Sequence, residues 1–548
     1  MKYIFLIWVL ILSLLVPSSA MSTTGYAYAL TQQPYTLISG LGTHHHPVST
    51  ENPQAQQFFD QGLNLIYAFN HEEAARSFKY AAELDPHLAM AYWGMALALG
   101  PNINLDIDSD RELAAYEAIQ KAVALSEYAS PEEQDYINAL AKRYSNNPRA
   151  YLYKLAVDYK NAMSDLVKRY PQDLDAKTLY AESLMDLHPW QHWTKDGKPL
   201  EDTEEIVAVL ESVLQSDPNH PGANHYYIHA VEASLTPERA LASANRLQTL
   251  VPAAGHLVHM PSHIYFRVGE YTKAMQSNAL AIAQDEAYIV KNHIEGVYPA
   301  MYYSHNVHFL VVAAAMAGRY QDAVQAADKL VTMATPFVEK EPMVEGYLGT
   351  KLLIQTRFSD WDNILNTPAP DDKFVTTKAL WHFARGMANA STGKLKDAES
   401  DRAALSTAQK TMPATATIGM SPASSILDIA SNQLDAKIAK AKQNYESAIK
   451  YLETAVAVED ALNYMEPPDW YISTREALGG ALLAKGDYAA AEKVFRADLQ
   501  KYPLNGRSLF GLQASLQAQG QENAAKLVQA QFNTVWKDTD TQLLVENF

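Results

Sequence analysis

The chain has 548 residues, 48% of them hydrophobic, with 44 Lys+Arg against 62 Asp+Glu and a formal net charge of −18. So acidic a balance argues against general affinity for nucleic acid or anionic membranes, because phosphate binding runs on exposed cations. The length disfavours one compact domain but suits a repeat array, and the lack of cysteine excludes disulfides and thiolate metal sites.

Residues 1–20 read as an export signal. Lys2 supplies the positive start, Ile4 to Val16 form a short apolar run, and Pro17-Ser18-Ser19-Ala20 offers small residues for cleavage. The run is short for a membrane span, so no stable span is expected after cleavage, and the protein is expected to be periplasmic or secreted. An uncleaved N-terminal anchor is the alternative. Residues 21–50 are expected to form a flexible lead-in, with His44-His45-His46 incidental or a weak metal scavenger rather than an ordered site.

From Phe58 onward helix dominates: apolar residues recur three and four apart, and Asp-Pro or Tyr-Pro pairs stand between the runs. The segment Phe58 to Pro86 carries Gly62, Ala74, Phe78, Ala81 and Pro86, and the spacing returns at Gly479, Ala491, Phe495 and Pro503. It recurs in part at Gly386 and Ala398, and more weakly around Ala240, Ala274 and Ala323. Gly269-Glu270-Tyr271, Gly318-Arg319-Tyr320 and Gly486-Asp487-Tyr488 mark equivalent inter-helix turns. These spacings resemble the tetratricopeptide repeat, a helix–turn–helix unit of about 34 residues. The resemblance implies an all-α α-solenoid of stacked helix–turn–helix repeats. Residues 51–345 would be an N-terminal array with a histidine-rich groove and 346–548 a C-terminal array, divided near the cluster Pro336, Pro342, Pro368 and Pro370. Residues 102–170 and 335–375 fit the pattern poorly. His188 to Pro199 is an aromatic insertion, and one long amphipathic helix is expected over Ile426 to Leu462.

Nine of the 17 histidines fall between His220 and His308. His225, His229 and Glu232 share a helical spacing, as do His256, His259 and His263, and then His305 and His308. In the repeat family the first helix of each unit lines the concave surface. The resemblance therefore implies that these residues face a common groove. Imidazoles one turn apart chelate metals well, and Glu232 adds an oxygen donor. Without thiolates the expected ion is a divalent metal, zinc or copper ahead of iron, with Met260 and Met301 as soft donors nearby. Pro261 removes a backbone donor inside the stripe and could displace His256 from it. Trp190 and Trp193 in the insertion are candidates for a lid.

Tyr67-Ala68-Phe69-Asn70-His71-Glu72-Glu73-Ala74 and Gly255-His256-Leu257-Val258-His259-Met260-Pro261-Ser262-His263 are similar to stretches in a group of exported bacterial tetratricopeptide proteins. That resemblance supports the fold and the motif and supplies no substrate. Three readings remain open at this point. The groove binds a small ligand, with a divalent metal; or it is a scaffold for a protein or peptide partner, with histidines as contacts; or it is a metal-dependent hydrolase in which Glu232 or Glu182 is general base to a bound water. The sequence has no HExxH motif, no phosphate-binding glycine loop and no nucleophile elbow.

Overall fold

A computed structural model describes residues 35–545 and residue 548. The expected signal peptide and residues 21–34 lie outside the described residues. Helices follow one another almost without interruption, and a two-residue hairpin pairs Thr417–Ile418 with Ser421–Pro422. No helix among the described residues is long and apolar enough to cross a membrane.

The first repeat shows why the sequence folds as it does. Asn52 caps the helix Pro53–Tyr67, its side chain accepting from the backbone of Gln54 and Ala55, and Pro53 takes the first position. Asn70 caps His71–Leu84, with Glu72 and Glu73 in its positive first turn. Phe78, fully buried, sits between Gly62 and Gly94. A methyl on either glycine would lie 2.7 Å or 2.4 Å from its ring. Phe495 occupies the same wedge between Gly479 and Gly511. This is the packing of tetratricopeptide helix pairs, and the molecule is an all-α solenoid of that type. Gly269, Gly318 and Gly486 have φ of +85°, +74° and +89°, the left-handed conformation that turns one helix into the next. Gly479→Ala should lower stability by about 1–3 kcal/mol, because the enclosed ring cannot retreat. The urea midpoint should fall at constant slope, and an unchanged midpoint would contradict the wedge packing.

Two expectations need correction. Ile426 to Leu462 is not one helix but an antiparallel pair, Ala423–Ala441 and Tyr445–Ala461. Gln443 adopts φ +59°, and Asn444 caps the second helix through the Ser447 amide. Nor is the lead-in loose where it is described. From residue 35 on it is a strap whose backbone is satisfied by the first repeats. The Ile38 amide donates to Gln61 Oε1 (2.7 Å), the Ala253 amide to Gly40 O (3.0 Å) and the Ser49 amide to Glu133 Oε1 (2.7 Å).

The solenoid curls until its halves meet. The main core draws residues from Leu41 to Tyr502, on both sides of residue 345, where Val344 and Leu348 pack in a small cluster of their own; another cluster spans Ala436 to Phe548. Tyr271 OH donates to Pro503 O (2.9 Å), the Arg267 guanidinium lies over the Tyr464 ring, and Lys195 donates to Ala461 O. The concave side is thus covered where the histidines project.

Candidate metal centre

Three stripes on four helices carry the imidazoles. Pro221–Glu232 starts from His220, whose Nδ1 accepts from the Ala223 amide (3.1 Å), and every residue of this helix is buried. His225, His229 and Glu232 form its inward stripe. The second stripe spans two short helices, Gly255–His259 and Pro261–Arg267. Pro261 starts a new helix, yet Met260 between them keeps helical torsions (φ −50°, ψ −36°), so the stripe holds and His256 stays on it. Gly255 is required here, because a Cβ would meet Asp285 Oδ1 at 1.8 Å. The fourth helix, Ser304–Met316, follows a π-helical segment, Tyr298–Tyr303, and projects His305.

The ring nitrogens meet in two sets. His225, His229 and His256 each offer a ligand atom within 4.8 Å of the others, and so do His259, His263 and His305. In the first set His225 Nε2 and His256 Nε2 are 3.1 Å apart; in the second His259 Nε2 and His263 Nε2 are 2.7 Å apart. Two imidazoles on one tetrahedral ion stand about 3.3 Å apart, given N–metal bonds of roughly 2.0–2.1 Å.

The outer nitrogens decide where the protons are. His225 Nδ1 faces the Tyr67 carbonyl (2.7 Å), which only accepts, so the ring must donate there. His229 Nδ1 and His263 Nδ1 donate to the two oxygens of Glu232 (2.7 and 2.5 Å). His259 Nδ1 donates to Asn278 Oδ1 (2.7 Å), an orientation fixed by Asn278 Nδ2 donating to Ala274 O (2.8 Å). A neutral ring that donates from Nδ1 keeps a lone pair on Nε2. With both rings neutral, His259 and His263 would turn two lone pairs toward each other, so this contact calls for a shared proton or a metal ion. His229 Nε2 is buried and has no hydrogen-bond partner among the described residues.

Burial sets the charges. Loss of water, reinforced by the neighbouring rings, pushes His225, His256, His259 and His305 well below the ordinary imidazole value. His229 is lowered by burial, against the opposing Glu232. Burial would push the Glu232 carboxyl up, but the facing His263 and His229 outweigh it and hold the group far below its usual range. These are the neutral imidazoles and oriented carboxylate that metal ligation uses.

The structure departs from the expected site in three respects. The cluster is largely enclosed rather than an open groove: His225, His229, His256, His259 and His263 are buried and His305 is partly exposed. Phe69 lies against His225 and His256 (ring centroids 4.5 and 5.5 Å), Trp190 edges onto His229 (5.3 Å) and Tyr302 onto His256 (5.2 Å). Trp193 Nε1 donates to Ala230 O (2.7 Å), pinning the insertion over the site. His308 falls in neither set. Residues three apart on a helix differ by about 60°, and His308 packs against Tyr347 and Tyr471 instead, where burial lowers it to about 4. His229, Glu232 and His263 also offer ligand atoms within 4.8 Å of one another, but an ion there would replace both ring N–H bonds to Glu232, so we read the carboxylate as an orienting group. With its oxygens so engaged it is not placed as a general base. Glu182 is buried in a separate group with Asp186 and Arg143.

His44 and His46 form an ordered latch. His44 Nε2 donates to Asp175 Oδ1 (2.9 Å), His46 Nδ1 to Oδ2 (2.8 Å) and His220 Nε2 to Oδ1 (3.2 Å), and Tyr67 OH donates to the same carboxylate. Burial would lower His46, but the hydrogen bond and charge of Asp175, then Asp173 and Asp60, raise it to about 8 from its ordinary 6.5. A raised folded value means the latch is fully formed below about pH 6.5 and weakens as pH rises through about 8. Protection factors across residues 35–50, taken against the base-catalysed intrinsic exchange rate, should fall between pH 7 and 9. His46→Asn should abolish that fall, and protection factors independent of pH in the unsubstituted protein would rule the latch out.

No protein-family model matches the chain, and no curated protein matches it at a significant level. Among solved structures it is similar to human IFIT1 in a dimer with PPP-AAAA (14% identity, 89% of this chain and 92% of that one, TM-score 0.32). It is also similar to yeast Tom70 (11%, 88% and 90%, TM-score 0.29) and to the P58(IPK) TPR domain (11%, 85% and 99%, TM-score 0.22). Scores this low transfer nothing to this chain, and the repeat assignment rests on the helix packing above.

Proposed function

We propose that this protein is an exported helical-repeat protein that binds transition-metal ions, zinc or copper, at the closed histidine cluster. One observation carries the reading: the buried lone pair of His229 Nε2, fixed by the Nδ1–H bond to Glu232 and left without a protein partner. A single proton shared by His259 and His263 could quiet that pair, but it does nothing for His229. A metal ion takes up the His229 lone pair, and a donor set of imidazoles without thiolate fits zinc or copper. The ring N–H bonds to Glu232, Asn278 and the Tyr67 carbonyl are the outer contacts that fix tautomer and aim in metal–histidine sites. We place it in the periplasm or outside the cell on the reading of residues 1–20 as an export signal.

Metal analysis of untagged protein, loaded with zinc or copper and desalted, tests the reading. Stoichiometric metal is expected, and it should disappear in the double variant His229→Gln/His259→Gln. Uptake no greater than that of the double variant would overturn it.

A further inference from the structure

Resting on that metal reading, the geometry points to two ions held side by side, and we propose that they are a pair of copper ions, each on three imidazoles. The two histidine sets share no residue: His225, His229 and His256 make one, His259, His263 and His305 the other. An ion in the first set leaves His259 Nε2 and His263 Nε2 opposed at 2.7 Å. An ion in the second leaves the orphaned lone pair of His229. Relieving both takes two cations, and two metal ions do so with every ring neutral.

The sets are also mechanically joined. Glu232 accepts from His229 of one and His263 of the other, so one carboxylate orients a ligand for each ion. The rings abut across the divide, His229–His263 at 5.6 Å and His256–His259 at 5.8 Å between centroids.

Charge selects the metal. Two divalent ions would bring four positive charges against the single ligand-orienting carboxylate of a buried site, a heavy desolvation cost. Two monovalent copper ions bring two, and oxidation of the pair would need a hydroxide from solvent to offset the charge it adds. Three neutral imidazoles also suit copper, and they lack the carboxylate donors that hard cations prefer.

The test loads full-length, untagged protein with copper(I) without oxygen, counts bound copper, then adds two equivalents of ferricyanide. Each ferricyanide takes one electron from one copper, giving two copper(II) ions whose electron spins are read by paramagnetic resonance. Two coppers per chain with spins that interact are expected. His256→Gln and His305→Gln, each checked for a cooperative melt, should each retain one copper with an isolated-spin spectrum. One copper per chain, or two with independent spins, overturns the pair while leaving metal binding intact. Two zinc ions taken up where copper is refused overturns the choice of metal. No uptake of either metal overturns both readings, and the wild-type count decides even if a variant fails to fold.

Discussion

Glu232→Gln should weaken metal binding by about 10–100-fold while leaving the metal-free protein as stable as before or more so. The carboxylate accepts at both oxygens, from His229 Nδ1 and His263 Nδ1. An amide of the same shape accepts on one side and donates on the other. Whichever ring faces the NH2 group must place its lone pair on Nδ1 and its proton on Nε2. That proton occupies the position a metal ion needs, so one set loses a ligand. Substitutions of this outer kind cost 10–100-fold in affinity in metal–histidine sites. The apo protein, meanwhile, exchanges a buried charge for a neutral group, which is often neutral or stabilising. Glu232→Ala should behave differently, costing on the order of 3–5 kcal/mol because both rings lose their acceptor. Competition titration against a chromogenic chelator, beside thermal melts without metal, separates the two effects. Wild-type affinity in the Gln variant would show that the carboxylate does not set the ring tautomers.

The sequence carried the repeat and the convergence of the histidines because both are periodic. Glycine, alanine and phenylalanine recur at fixed offsets wherever two helices must touch, and the imidazoles recur one turn apart on helices that stack as neighbours. What it did not carry came from distant segments. Phe69 reaches the cluster from a turn over 150 residues before His225, and its only local signal is the bend after Ala68. Asn278 looks like an ordinary polar residue in a long helix until it meets His259. Asp175 gathers three histidines from two other segments, and nothing in its neighbourhood announces that. His308 was misread because offsets of three and four are treated alike in a pattern, although they aim side chains to opposite sides of the stripe. The turn at Gln443 was missed for want of glycine or proline; Asn444 as a helix cap was the available sign.

These long-range contacts also explain why the site is dry. An array whose concave side stayed open would leave its histidines hydrated, with ordinary proton affinity and little reason to hold one tautomer. Closure by the Phe69 turn, the Trp190 insertion and the C-terminal half removes water, keeps the rings neutral and makes each remaining hydrogen bond count for more.

Phe69→Ala should therefore be among the most damaging changes outside the ligands themselves. The side chain is 3% exposed and contacts the rings of His225, His229 and His256 together with Tyr226. Truncating a buried phenylalanine costs about 3–5 kcal/mol, and here the space left behind would admit water to the imidazoles. Bound metal should then leave faster as well as the fold weakening. The backbone supplies an internal control. Phe69 holds φ +54°, a left-handed conformation that costs an L-residue roughly 1–2 kcal/mol, and alanine inherits that strain where glycine does not. Phe69→Gly should accordingly be less destabilising than Phe69→Ala by about 1 kcal/mol, although it removes more of the side chain. Urea midpoints for the two variants, with metal release followed under excess chelator, check both parts. A Phe69→Ala protein within 1 kcal/mol of the parent and with an unchanged release rate would mean that the cover over the histidines lies elsewhere.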